Sequence, residues 1–384
     1  MLEKALYGSK GYYVWILLLL GLIGLGSIAY YTQLTQGLKI TGMSRDVSWG
    51  FYIAQFTYLV GVAASAVMLV LPYYFHHYKA FSKMIILGEF MAISAVSMCM
   101  LFIVVDLGQP QRLLNVILHP TPNSILFWDM VVLNGYLFLN IIIGWTTLQA
   151  ERKGVTPASW IKPLVYLSVI WAFSIHTVTA FLYAGIPGRH YWLTAIMAAR
   201  FLASAFCSGP AILLLLSLLL RRLTKYDPGK EAIQSLAKII TYAMCVNVFF
   251  FGLELFTAFY SNIPGHMHSF EYLFYGLEGH NLLVPFMWAA VVMAFGSLVL
   301  LIPPAFRNNE NILIPALLML VGASWIDKGL ALLVAGFVPN MFERVTEYAP
   351  TIPELAVSMM VYATGALILT VLWKVAVSVK KEIA

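Results

Sequence analysis

Charge is the scarcest property of this 384-residue chain: Asp, Glu, Lys and Arg together make up 10% of it, against about 25% in soluble globular domains. A water-exposed surface cannot be built from so little charge, which excludes a soluble enzyme. Cysteine is nearly as scarce. Cys99, Cys207 and Cys245 stand alone inside apolar runs, so there is no CxxC pair for an iron–sulfur cluster or zinc and no CxxCH for c-type haem. They read as packing residues. Histidine is also short where haem would need it. Only His176 lies well inside an apolar run; His76 and His77 sit at the end of one, and His119, His190, His266, His268 and His280 lie in links. A b-type haem held by two histidines on facing helices is therefore not expected.

What the chain has is apolar length. Hydrophobic residues make up 61% and aromatics 14%, which also excludes disorder. At about 20 apolar residues per bilayer crossing, the length accommodates ten or so spans, short links and no sizeable extramembrane domain. The expectation is an all-α polytopic membrane protein. Helices are predicted near Tyr12–Tyr31, Trp49–Phe75, Met84–Val105, Trp128–Gln149, Pro163–Ile186, Leu193–Leu220, Leu236–Ser261, Val284–Phe306, Ile312–Val338 and Glu354–Ser378. The first run is too long for a signal peptide and no small-residue cleavage site follows it, so it reads as a retained span.

Lys and Arg set the orientation. The N-terminus, the links after the even-numbered helices and the C-terminal segment carry 15 of them, and the remaining links carry 5. The bias predicts a multi-pass protein of the cytoplasmic membrane with both termini in the cytoplasm. The outward links are the longer ones, rich in His, Pro, Trp and Tyr. DLGQPQRLLNVILHPTPNSILFW after the third helix and NIPGHMHSFEYLFYGLEGHNLL after the seventh suit amphipathic or re-entrant segments on the outer interface. A partner is expected to dock on that side; nucleic acid is not an expected partner.

The fifth and ninth helices resemble each other: SIHTVTAFLYAGIPG against WIDKGLALLVAGFVPN. An offset of 151 residues pairs His176 with Asp327, Ala180 with Ala331, Leu182 with Leu333 and Gly185 with Gly336. This fits two consecutive four-helix bundles in a parallel repeat. The division expected is 1–48 for the first helix and its outer link, 49–192 and 193–345 for the bundles, and 346–384 for the last helix and tail.

Ionisable groups inside hydrocarbon cost about 2.5–3.5 kcal/mol each on insertion scales and so face a bundle interior or a wet cavity. Glu89, His176, Arg200, Glu254, Asp327 and Lys328 are such groups, with Asp106 and Asp129 at the outer ends of the third and fourth helices. Two readings stand. Protons can hop along the set Glu89, Asp129, Arg200, Glu254, Asp327 and Lys328 through bound waters, or the groups form structural pairs, Arg200 with Glu254 for example. Asp327 and Lys328 point about 100° apart on a helix and must serve different neighbours.

In VVDLGQPQR, Gly108 and Pro110 end the third helix, and Asp106 and Arg112 are near enough in sequence to pair across the turn. Alternatively this segment, with His119, completes a polar pocket at the outer interface with Trp49, Tyr52 and Gln55 of the second helix and His176 and Tyr183 of the fifth. Such a pocket suits a flat amphipathic molecule. A quinone fits that description, and quinol oxidation would need a proton acceptor such as Asp106 or His176. On residue types alone a secondary transporter built around Asp327 and Lys328, or a plain membrane anchor for redox partners, remains open.

The segments SWGFYIAQFTYLVGVAASA, DLGQPQRLL, SILFWDM and SIHTVTAFLY together resemble the NrfD/PsrC family of polysulfide-reductase-type membrane subunits, over the second to ninth helices. The ten-helix length is similar to the longer, DsrP-type branch found in the dissimilatory sulfite-reduction membrane complex. The resemblance implies a menaquinone or menaquinol site in the first bundle near the outer face, lined by the regions of Trp49, Tyr52, Gln55 and His176, with Asp106 and Arg112 in the family's turn. Gln55 stands where some members have a His. The resemblance also implies electron exchange with an extracytoplasmic ferredoxin-like iron–sulfur subunit. In the sulfite-linked branch it further implies a multihaem cytochrome c and a second quinone-reactive membrane subunit with its cytoplasmic iron–sulfur protein.

Overall fold

Long apolar runs in a bilayer must satisfy their own backbone groups, and a helix is the way a single segment does so. The protein, seen here in a computed structural model, is described over residues 1–224 and 226–383. Among these residues the regular structure is helical apart from one isolated bridge between Leu277 and His280. Ten helices are long and apolar enough to cross a membrane: α1 Lys10–Gln36, α2 Phe51–Phe75, α3 Ile85–Asp106, α4 Ile125–Lys153, α5 Ile161–Ala184, α6 Met197–Leu223, α7 Lys230–Ser261, α8 Val284–Leu301, α9 Glu310–Phe337 and α10 Ile352–Lys380. The predicted spans match these to within a few residues at most ends. α7 begins six residues earlier than its apolar run because Lys230–Ser235 continue the helix beyond the apolar stretch.

Helix α2 packs on α3, α3 on α4 and α4 on α5; in the second half α6 packs on α7, α8 on α9 and α9 on α6. The two groups of four meet where α2 lies against α6 and against the middle of α9, and α5 lies against α6. Helices α1 and α10 pair with each other, and α10 also lies on α3. The close approach of α2 and α6 is set by small residues. A Cβ on Gly209 would meet the Gly61 carbonyl oxygen at 2.9 Å and the Ser65 amide nitrogen at 3.2 Å. At this level α2 tightens into a 3-10 turn over Ala64–Ala66.

Helix α9 carries a second irregularity, a π-helical stretch over Trp325–Ala331 that contains Asp327 and Lys328. Such wide turns recur at functional sites because they re-aim adjacent side chains. The segment after α3 forms a 3-10 turn Pro110–Arg112 and a short helix Asn115–Leu118, and the segment after α7 forms a helix Pro264–Phe274.

One set of helix ends is tied by Glu354, which is fully buried at the start of α10. Thr351 and Glu354 form a capping box: the Glu354 amide donates to Thr351 Oγ1 at 3.4 Å and the Thr351 amide to Glu354 Oε2 at 3.3 Å. The same carboxylate accepts from the Gly42 amide at 3.0 Å, the Phe51 amide at 3.1 Å and the Tyr348 hydroxyl. One side chain thus fixes the α1–α2 link, the start of α2 and the α9–α10 link.

Candidate functional site

The end of the first bundle at which α3 finishes is assembled from α1, α2 and α3. Gln33 of α1 donates to the Val105 carbonyl at 2.6 Å and accepts from the Tyr52 hydroxyl at 2.7 Å. Gln33 and Tyr52 are both buried. This bridge holds Tyr52 against the last turn of α3, where Asp106 sits with a buried Oδ1 that has no hydrogen-bond partner in the protein. An unsatisfied buried acceptor costs about 1–3 kcal/mol, more if charged, so the oxygen is a position where a ligand donor gains affinity.

Around this point lies an aromatic wall. Trp49 meets Tyr183 edge-on at 5.8 Å and Phe337 at 5.9 Å, and Tyr183 meets Trp192 at 5.1 Å. Trp192 is fully buried, donates to the Leu332 carbonyl at 2.8 Å, and lies where a Cβ on Gly336 would sit 1.9 Å from its ring. Tyr183 shares a short hydrogen bond with Thr57. One turn deeper, Thr179 donates to Asp129 Oδ1 at 2.7 Å. His176, three residues before Thr179, is fully buried and neither ring nitrogen has a partner.

The predicted pocket is therefore only partly gathered. Trp49, Tyr183, Tyr52, Asp106, Asp129 and His176 belong to the interior of the first bundle. Arg112 and His119 do not: both are exposed on the link after α3, and Asp106 and Arg112 form no ion pair. The expected clamp across the turn is absent because the 3-10 turn Pro110–Arg112 leaves Arg112 exposed, while Asp106 lies at the end of α3. Gln55 is turned towards the other side of α2, accepting from Trp325 at 2.8 Å and from Tyr362 at 2.6 Å, with Nε2 unpartnered. Gln33, Trp192 and Glu354 were not singled out from the sequence. For Glu354 the signal was present in TIPE, the capping-box pattern. Nothing in the pattern around Gln33 distinguishes it from other polar residues at a helix end.

Towards the opposite end of the same bundle, near the start of α3, Glu89 is buried with Oε2 unpartnered. It lines a void of about 10 Å³ with Tyr136, Asn140 and Ser168, on the margin of holding one water. In α2 the Tyr58 hydroxyl and Ser65 Oγ are likewise buried and unpartnered.

The second bundle treats its charges differently. Arg200 of α6 bonds Glu254 of α7 through Nη1 and Asp327 of α9 through Nη2. Its guanidinium lies over the Phe251 ring, 5.0 Å from the centroid. The expected Arg200–Glu254 pair is present, and Asp327 extends it to a triad. Lys328 faces elsewhere, donating to the Phe201 carbonyl at 3.3 Å with Nζ 4.5 Å from the centre of the Phe201 ring. The two adjacent charges serve different neighbours, as their angular separation required.

Hydrogen-bonding side chains and aromatic rings thus lie deep in a multi-span helical protein. Residues 39–339 match the NrfD family, described as polysulphide reductase, NrfD, and the chain belongs to that family. It is 26% identical over 395 aligned residues to a protein of Halobacterium salinarum named as a dimethyl sulfoxide reductase membrane subunit, covering 92% of this chain and 88% of that one. It is 22% identical to the integral membrane subunit of a menaquinone reductase from Nitratidesulfovibrio vulgaris, covering 94% and 90%. It is 25% identical to the integral membrane subunit of an Hdr-like menaquinol oxidoreductase from Archaeoglobus fulgidus, covering 64% and 60%.

Proposed function

We propose that this protein is the quinone-interacting membrane subunit of a respiratory oxidoreductase complex, exchanging electrons between the menaquinone pool and an iron–sulfur partner docked on the outer face. Two of its relatives carry menaquinone or menaquinol in their names. The observation that carries the site is Asp106, whose buried oxygen has no partner inside the protein and which stands beside the Tyr52–Gln33 bridge at the outer end of α3. The residues present fit the head of a quinol: a carboxylate acceptor for its hydroxyl and a hydroxyl at Tyr52 beside it. The Trp49 and Tyr183 rings add apolar faces.

Quinol oxidation supplies two electrons and two protons. Asp106 would accept the proton of one hydroxyl, release it to the outer surface by way of the link that follows it, and then accept that of the second, the two electrons passing to the iron–sulfur partner. Tyr52, held by Gln33, fixes the position of the head, and the Trp49–Tyr183–Trp192 wall keeps bulk water from it. Redox centres belong to partner subunits. The Lys and Arg bias favours both termini on the cytoplasmic side of the cytoplasmic membrane, with the iron–sulfur partner outside. A link to sulfite reduction, with a multihaem cytochrome c and a second quinone-reactive membrane subunit, extends this reading. So does proton movement along Glu89, His176 and Asp129 of the first bundle, residues 49–192, or through Arg200, Glu254, Asp327 and Lys328 of the second, residues 193–345.

Replacing Asp106 by Asn or His176 by Ala in the assembled complex is expected to slow menaquinol-linked electron transfer by about 10²-fold, the usual contribution of a positioned proton acceptor. Wild-type rates in both variants would remove the site assignment.

A further inference from the structure

A largely apolar cleft lies in the second bundle, away from Asp106. It opens between α7 and α8 and reaches α9, with a volume of about 330 Å³, at the lower end of the range of about 300–1,000 Å³ for small-molecule sites. Its walls include Val248, Phe251, Leu255, Met287 and Ala294. At the mouth, Trp288 and Phe295 are exposed on the outer surface of the helix bundle, which in a bilayer faces lipid.

The inner end is polar. Asn247 is 5% exposed, lines the cleft, and its Oδ1 has no hydrogen-bond partner. Ser324, 2% exposed, also lines the cleft with Oγ unpartnered. Beside them stands Asp327, whose Oδ1 is taken by Arg200. Its side chain is 15% exposed, against 4% for Arg200 and 6% for Glu254, so it is the one member of the triad that reaches the open space. The triad holds one cation and two carboxylates, which leaves an excess of acceptor at this end.

We propose that this cleft is a second binding site, taking a lipid-soluble hydroquinone that enters sideways from the bilayer and donates a phenolic hydroxyl to Asp327 and Asn247. Three features select that class. An acyl chain offers no donor to the polar end. A phospholipid phosphate would face the excess carboxylate. Its headgroup would also have to leave the interface, because Asp327 lies ten residues before the end of α9 at Phe337, roughly 15 Å inside at helical rise. A flat ring with a hydroxyl meets both the aromatic walls and the acceptors. The choice of a hydroquinone among phenols rests on the proposed function; the site itself does not.

The test uses the full chain in lipid nanodiscs and a naphthoquinol carrying a photoreactive diazirine on a short tail. Labelling is expected on peptides from residues 244–255 and 287–295. The dimethyl ether of the same probe, which cannot donate, should label them about tenfold less, the factor for losing one hydrogen bond to a charged acceptor. Ala294→Phe, which fills the apolar part without touching the polar end, should abolish this label while leaving any label near Asp106. Equal labelling by quinol and ether, or labelling unchanged in Ala294→Phe, would overturn the site. A label at this cleft with normal electron transfer in Asp106→Asn would instead overturn the first-bundle reading alone.

Discussion

Both bundles bury polar groups in their interiors, and they dispose of them in opposite ways. In the second bundle the ionisable groups pair with opposite charge: Arg200 draws Glu254 and Asp327 into one cluster that joins α6, α7 and α9, although Glu254 Oε1 stays buried without a partner. In the first, Asp106, Glu89 and His176 take part in no ion pair among the described residues, and each keeps at least one buried atom without a partner. The alignment of SIHTVTAFLYAGIPG with WIDKGLALLVAGFVPN sets His176 opposite Asp327; the first has no partner and the second is paired with Arg200. A charge already matched is costly to change and serves to hold helices together. A group with a free lone pair or proton can still act on something else. The first bundle is thus the place for exchange and the second is a clamp with a cleft beside it.

The sharpest way to break this comparison is to remove Arg200. Arg200→Met leaves Glu254 and Asp327 buried without their cation, and breaking a buried pair costs about 3–5 kcal/mol. The expected result is a large loss of folded protein and of thermal midpoint in detergent. Adding Glu254→Gln and Asp327→Asn to the same variant should restore much of the stability, because the uncompensated charges are gone. Lack of any recovery would mean that the guanidinium acts by packing on Phe251, not by neutralising carboxylates.

The next effect separates the bundles by function. Asp106→Asn should keep the fold, since Oδ1 holds nothing in place, and lose about 10²-fold in quinol-linked rate. Asp327→Asn should instead lower the thermal midpoint, because it removes one carboxylate from the Arg200 cluster. If both variants lose rate equally with stability intact, the division into exchanging and clamping bundles fails.

Much of the fold was legible because the signal for a span is its apolar length, which tertiary contacts do not alter. The link after α7 was expected only as an amphipathic or re-entrant segment, and the helix it forms over Pro264–Phe274 was not placed from the sequence. The ion triad was half legible: Arg200 and Glu254 lie in apolar runs and have few other possible partners, but Asp327 joins them through a π-helical turn that a regular helical wheel does not describe. The candidate site was harder. Sequence proximity of Asp106 and Arg112 suggested a pair, and the turn at Pro110 separated them. Gln55 follows the helical spacing from Tyr52, yet it faces α9 and α10, because α2 is buried on all sides and no single face marks its function.

The smallest effect concerns the cap over the second bundle. His266 on the helix Pro264–Phe274 lies with its ring 5.7 Å from that of His190, centre to centre. Partial burial, and then the neighbouring His190, hold the His266 imidazole below its ordinary pKa. A base with a lowered folded pKa binds protons more readily when unfolded, so stability rises with pH across the interval between the two values. On acidification the contribution is therefore lost as pH falls below about 6.5, the unfolded value, and through the lower folded value. His266→Gln removes the titration while keeping a polar side chain. The fall in thermal midpoint between pH 7 and pH 5, measured in detergent on wild type and variant, should be slightly smaller in the variant, because the group is only partly buried and solvent weakens its coupling. Identical slopes would show that His190 and His266 do not sense each other, and that acid sensitivity of the second bundle arises elsewhere than in its cap.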